Sequence, residues 1–230
     1  MSHLHIPDGV LPLHLWLPGL VLAAILLLVA VGASRSQARS RVAYQGAIGA
    51  LMLAAMAIEL PLGPIDYHLS LVGPVGALLG AAAGFQVVFV VSAMLALIGH
   101  GGLTVVGLNA LVLGAGAAVA RPLATLFARR LGAPAALTLA TALAQALSGG
   151  LWLAIIALEM RDSPRGAMLS DGPGRVVLLA GLALPLWLIG ILVESLVAFG
   201  LGRFVARVRP DLLPGGVTPA VPRIAREPAA

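Results

Sequence analysis

The fold class this sequence predicts is an all-α integral membrane protein of about seven transmembrane helices, N-terminus outside and C-terminus cytoplasmic. Three observations predict it. The 230-residue chain is 60% hydrophobic and only 10% charged, with a mean hydropathy of +1.04, whereas about a quarter of an ordinary soluble chain is charged. Its apolar residues gather in runs close to the ~20 residues that cross a hydrocarbon core. Its arginines collect on alternate connections between those runs, as they do in a polytopic chain.

The runs place spans at 14–33, 42–60, 71–84, 87–99, 105–121, 134–157 and 176–202. The third and fourth are short and meet at Gly84-Phe85-Gln86, so this pair is expected to tilt or to be partly re-entrant. A six-span arrangement that fuses them is the competing reading. With the N-terminus outside, the inner segments carry Arg35, Arg39, Arg41, Arg121, Arg129, Arg130, Arg203, Arg207, Arg209, Arg223 and Arg226, against Arg161, Arg165 and Arg175 outside. That bias sets the orientation. Val31 and Ala33 resemble a signal-peptide cleavage site, but no basic residue precedes the first span, so the N-terminus is expected to be retained. Residues 1–209 read as a single membrane domain. Residues 210–230, rich in proline and without apolar periodicity, read as a disordered cytoplasmic tail. Gly46, Ala50 and Ala54, and again Gly76, Gly80 and Gly84, recur at four-residue spacing. Such stripes let helices approach closely, and internal packing is preferred over a docking face for another subunit.

Composition also excludes several functions. The net charge of +5 comes from arginine alone. Without lysine the chain cannot build a P-loop, so an ATP-driven process needs its ATPase on another subunit. Without cysteine, disulfides, thiolate metal sites and thiol catalysis are excluded. There is no His-Glu-x-x-His or Gly-x-Ser-x-Gly pattern, and an enzyme is not expected. No basic stripe with interleaved aromatics points to nucleic acid.

All five histidines, His3, His5, His14, His68 and His100, fall on the expected outer side. Imidazole is the commonest metal ligand and suits nickel, copper, cobalt and zinc. This clustering points to capture of a divalent transition metal, set against the plainer reading of interfacial histidines. In His5-Ile6-Pro7-Asp8-Gly9, proline and the Pro-Asp-Gly turn can fold a chain end back onto the protein. A histidine beside a free amine offers amine, backbone nitrogen and imidazole at three corners of a square, a field that suits Ni²⁺ and Cu²⁺. His68, ending the loop Pro61-Leu62-Gly63-Pro64-Ile65-Asp66-Tyr67-His68, is placed to complete the plane.

These residues carry a resemblance. His5-Ile6-Pro7-Asp8-Gly9 is similar to the Met-His-Ile-(Pro/Met)-(Asp/Glu)-Gly start of the CbiM/NikM family, the substrate-binding components of energy-coupling-factor cobalt and nickel importers. The likeness continues through the loop ending at His68. It returns in Gly99-His100-Gly101-Gly102-Leu103-Thr104 with Gly107-Leu108-Asn109, and closes at Arg209-Pro210-Asp211-Leu212-Leu213. Each motif is short, but their order spans nearly the whole chain. The resemblance implies seven helices in a prokaryotic plasma membrane, Co²⁺ or Ni²⁺ as transported substrate, and cobalamin biosynthesis as a use for cobalt. It implies that His5 binds through ring and backbone nitrogen, and that His68 completes the site. It also implies a transmembrane coupling subunit, cytoplasmic ATPase subunits and a small accessory membrane subunit as partners.

Two positions depart from the family pattern. Leu4 stands where the family has its initiator methionine, so the amine ligand is expected to be restored if translation starts at Leu4. Loss of Met1 would instead place His3 second and make it the ligand. His100 replaces an aspartate, and is either an additional ligand or an interfacial loop residue, the latter preferred. Asp8, Asp66 and Asn109 are expected to support the ligands, although the carboxylates also suit turns and Asn109 also suits helix packing. His14 marks the membrane interface. Glu59 and Glu194 lie in or near the membrane, where a carboxylate is costly. A proton-coupled secondary transporter of a divalent metal using these two residues is the rival function. For Glu194, a structural or coupling role is preferred over catalysis.

Overall fold

The structure, a computed structural model, describes residues 6, 8–35, 39–58, 60–62, 65–162 and 173–214. Inside a bilayer no water is available to backbone N–H and C=O groups, so apolar runs satisfy them within helices. The helices are α1 Leu13–Ser34, α2 Arg39–Ala57, α3 Val72–Leu79, α4 Ala81–Leu97, α5 Val106–Ala128, α6 Ala133–Asp162 and α7 Pro173–Val208. Between α2 and α3 lies an unexpected ribbon of β1 Leu60–Leu62 and β2 Ile65–Tyr67, antiparallel with Leu60 opposite Tyr67 and Leu62 opposite Ile65. The chain is an all-helical integral membrane protein apart from this short ribbon.

Among the described residues, four segments are long and apolar enough to cross a membrane: Leu13–Ser34, Val106–Ala128, Ala133–Glu159 and Leu184–Val208. Arg41–Ala57 and Ala81–Leu97 are shorter apolar helices. Helix α3 ends at Leu79 and at 1.5 Å per residue is only about 12 Å long, shorter than a hydrocarbon core. The third and fourth spans therefore do not meet at Gly84-Phe85-Gln86 as the apolar pattern indicated. The chain reverses at Gly80, whose φ of 81° and ψ of 177° lie where a side chain is strained. The six-span arrangement fails with it. A Cβ on Gly84 would lie 3.5 Å from the Cα of Gly76, a contact that one continuous helix cannot make across eight residues.

Helix α3 occupies the centre of the bundle, with Val72 to Leu78 all buried. A Cβ at Gly76 would overlap the Ala117 backbone of α5, and one at Gly73 would meet Thr141 of α6. The stripe through Gly76 and Gly84 thus serves internal packing. The other stripe does not: Gly46, Ala50 and Ala54 are exposed on α2, which buries Met52 and Met56 instead. The larger side chains carry the buried area on this helix, so its small residues are left facing outward. Gln86 of α4 donates to Ala30 O at 2.7 Å and Ser34 Oγ at 2.9 Å, tying α4 to α1 through polar contacts that an apolar pattern does not foresee.

At the arginine-rich end, α7 runs to Val208, beyond the expected limit of 202, and a 3-10 turn follows at Pro210–Leu212. Arg209 grips Asp211 through two hydrogen bonds of 2.9 and 2.8 Å. Leu213 is buried against the core of Leu78, Ala120 and Leu137. Packing thus extends into the first residues of the expected tail, and residues 215–230 lie outside the described residues.

Candidate metal centre

The histidine end is built from the segment ahead of α1, the ribbon and coil leading into α3, and the turn between α4 and α5. Ile6 is fully buried with Leu11 and Val105, and Trp16, Leu108 and Trp152 are partly buried around them. Its backbone is held as firmly as its side chain. The Ile6 N–H donates to Asn109 Oδ1 at 2.8 Å, and Asn109 Nδ2 donates back to Ile6 O at 3.1 Å. Gly102 N–H donates to the same carbonyl at 3.3 Å. A buried amide on α5 therefore satisfies both backbone groups of a residue more than a hundred positions away in sequence.

Two residues on, the Asp8 carboxylate accepts from Leu103 N–H and Thr104 N–H, each at 2.9 Å, and from the Thr104 hydroxyl. The Thr104 hydroxyl is the chief reason that the Asp8 carboxyl titrates below its ordinary range; desolvation opposes it, and the N–H groups of Thr104, Leu103 and Val105 add to it. Any side chain at Gly102 would collide with Asp8. Asp8 and Asn109 thus fasten the N-terminal segment over the histidine end by two separate sets of bonds.

His68 leaves β2 and leads into α3, while His100 sits in the turn after α4, with its N–H bonded to Leu95 O at 2.8 Å. Their rings meet edge to face with centroids 5.6 Å apart. An ion bound at about 2.0–2.1 Å from an imidazole nitrogen lies roughly 3 Å from that ring's centroid. A centroid spacing of 5.6 Å is therefore within what two rings on one ion can adopt. Among the described residues, no three His, Cys, Asp or Glu side chains converge into a metal-holding group. His3, Leu4 and His5, the remaining expected ligands, lie outside the described residues, as does Glu59. Asp66 is placed on β2 by its backbone, with its side chain outside the described part. His14 is exposed on the first turn of α1.

Below this pair lies a polar cluster only partly foreseen. Glu194, fully buried on α7, accepts the Ser70 N–H and, at 3.1 Å, the Leu71 N–H. Gln145 of α6 donates its amide to the Ser70 hydroxyl, and Trp187 Nε1 donates to Gln145 O at 3.3 Å. Leu71 is left-handed, with φ of 52° and ψ of 19°, a conformation that costs a branched residue about 1–3 kcal/mol. The carboxylate compensates by binding N–H groups just ahead of the first turn of α3, where backbone donors lack helical partners. Ser70 and Gln145 escaped the sequence reading. Gln145, a polar side chain in the middle of an apolar run, was the available signal.

The family model for the CbiM cobalt uptake substrate-specific transmembrane region matches residues 5–212. A solved transition metal transporter superposes with a TM-score of 0.74 at 16% identity, covering 89% of this chain and 93% of that one. A truncated transition metal transporter gives the same TM-score at 15% identity, covering 89% and 99%. These structural likenesses speak to the fold. No curated protein sequence matches the chain.

Proposed function

Because this chain belongs to the CbiM family of cobalt uptake transmembrane regions, we propose that it is the substrate-binding component of an ATP-driven importer of Co²⁺ or Ni²⁺. It captures the ion at the outer face of a prokaryotic plasma membrane. A transmembrane coupling subunit and cytoplasmic ATPase subunits, with a small accessory membrane subunit, then drive its passage. His68 and the N-terminal His5, with the amine of a chain starting at Leu4 or with His3, provide nitrogen ligands. His100 joins them in place of the family aspartate. Asp8, Asp66 and Asn109 hold the ligands in place.

The observation that carries this reading is that Asn109 and Asp8 fasten the N-terminal segment to the same end of the bundle where His68 and His100 face each other. That fastening supports a reading in which nitrogen donors from both chain regions share one ion. A nitrogen-rich field suits Ni²⁺ and Co²⁺ alike, and the order of affinities alone favours nickel. The engagement of Glu194 by two backbone N–H groups favours an anchoring role over that of a proton carrier. Calorimetric titration with each ion tests the site. His5→Ala and His68→Ala, each removing a direct nitrogen donor, are expected to weaken binding by about a hundredfold or more, beyond the roughly 10–100-fold typical of a supporting residue, and His100→Ala by about tenfold. Wild-type affinity in both His5→Ala and His68→Ala would remove the site.

A further inference from the structure

The cluster around Glu194 has a place in metal binding that none of its members would have alone. His68 is followed by Leu69, Ser70 and Leu71, and the last two are held by a carboxylate on a different, sequence-distant helix. Ser70 is held a second time through its hydroxyl by Gln145, and that hydroxyl also accepts the Val72 N–H at 3.3 Å. The segment carrying the imidazole is therefore fixed between α6 and α7 at a left-handed residue, a conformation it would leave if released. Glu194 and Ser70 are both buried, so water does not substitute for these bonds. Helix α7 then continues to Val208 at the arginine-rich end. A single carboxylate thus joins α7 to the coil two residues from His68.

We propose that Glu194 is a positioning residue for metal binding, which sets the place of the His68 imidazole by clamping Ser70 and Leu71 and so links the metal site to α7. This rests on His68 being a ligand, as argued above. The carboxylate touches no ion. It acts as a partner of the ligand's own backbone, and the loss of such partners typically weakens metal sites by about 10–100-fold.

The test uses the full chain in lipid nanodiscs loaded with Ni²⁺ or Co²⁺, comparing wild type, Glu194→Gln, Glu194→Ala and His68→Ala. The readouts are the ligand-field absorption bands and the rate of metal loss to a chelator. A glutamine keeps one oxygen acceptor for the two N–H groups, and alanine keeps none. Metal release is expected to quicken by about tenfold or more in Glu194→Ala and by less in Glu194→Gln, with displaced bands in both. If Glu194→Ala does not fold, the band position and release rate of Glu194→Gln decide alone. Wild-type bands and rates in the Glu194 variants, with binding lost in His68→Ala, would overturn the positioning role and leave the metal site standing. Wild-type binding in His68→Ala would instead overturn the site itself, and the positioning role with it.

Discussion

Replacing Asn109 by alanine or leucine tests how the N-terminal segment is held. Asn109 is 2% exposed and provides the hydrogen-bond acceptor for the Ile6 N–H, and Ile6 is itself fully buried. The Ile6 carbonyl keeps a second donor in Gly102, so the cost of the substitution falls on the N–H. Leaving one buried donor unsatisfied costs about 1–3 kcal/mol, a factor of roughly 5 to 150 in the equilibrium between docked and released segment. Hydrogen exchange followed by mass spectrometry reads that equilibrium directly in the N-terminal peptide. Its protection is expected to fall by that factor in Asn109→Ala, and similarly in Asn109→Leu, which replaces the amide by apolar volume. Metal affinity is bounded by the same number, because an ion that binds only the docked form loses affinity in proportion to the docked fraction. Unchanged protection in both variants, with the fold intact, would refute the account of Asn109 as the fastening of this segment.

Three further outcomes follow from the same geometry. The Asp8 carboxyl titrates below its ordinary value, so its clamp is complete above about pH 4 and is lost as pH falls through the lowered value. Fluorescence of Trp16 and Trp152, which pack in the Ile6 cluster, should change in that acid range, and Asp8→Asn should abolish the transition. Gly76→Ala should lower the melting temperature, because its Cβ meets the Ala117 backbone, and overpacking of a core costs about 1–3 kcal/mol. Gly46→Ala, with no atom within 4 Å of its Cβ, should leave the melting temperature unchanged or raise it, since alanine favours a helix by about 1 kcal/mol over glycine.

The membrane class was legible from composition, since 60% hydrophobic residues cannot be hidden in a soluble chain of this length. The long spans were legible for a related reason: the bilayer sets their length, and α1, α5 and α6 follow the apolar runs. The reversal at Gly80 was not. The apolar pattern through 72–97 is interrupted at Gly84-Phe85-Gln86 and not at Gly80, because Gly80 sits among apolar residues, and periodicity cannot separate one helix from two there. The outward face of Gly46, Ala50 and Ala54 was equally hidden, since a stripe of small residues reads alike whether a neighbour covers it or not.

In the candidate site, residue type drew attention to His68 and His100, and the turn pattern and family resemblance added Asp8 and Asn109, polar groups that are conspicuous in so apolar a chain. Their partners could not be read, because they come from distant parts of the sequence. Asn109 binds Ile6 across 103 positions, and Glu194 binds Ser70 across 124. Chemistry belongs to the side chain and is written residue by residue, so the sequence names which groups can bind a metal. Distance belongs to the packed bundle, where the close approach of α3 to α5 and α6 and the fold-back ahead of α1 set which of those groups meet.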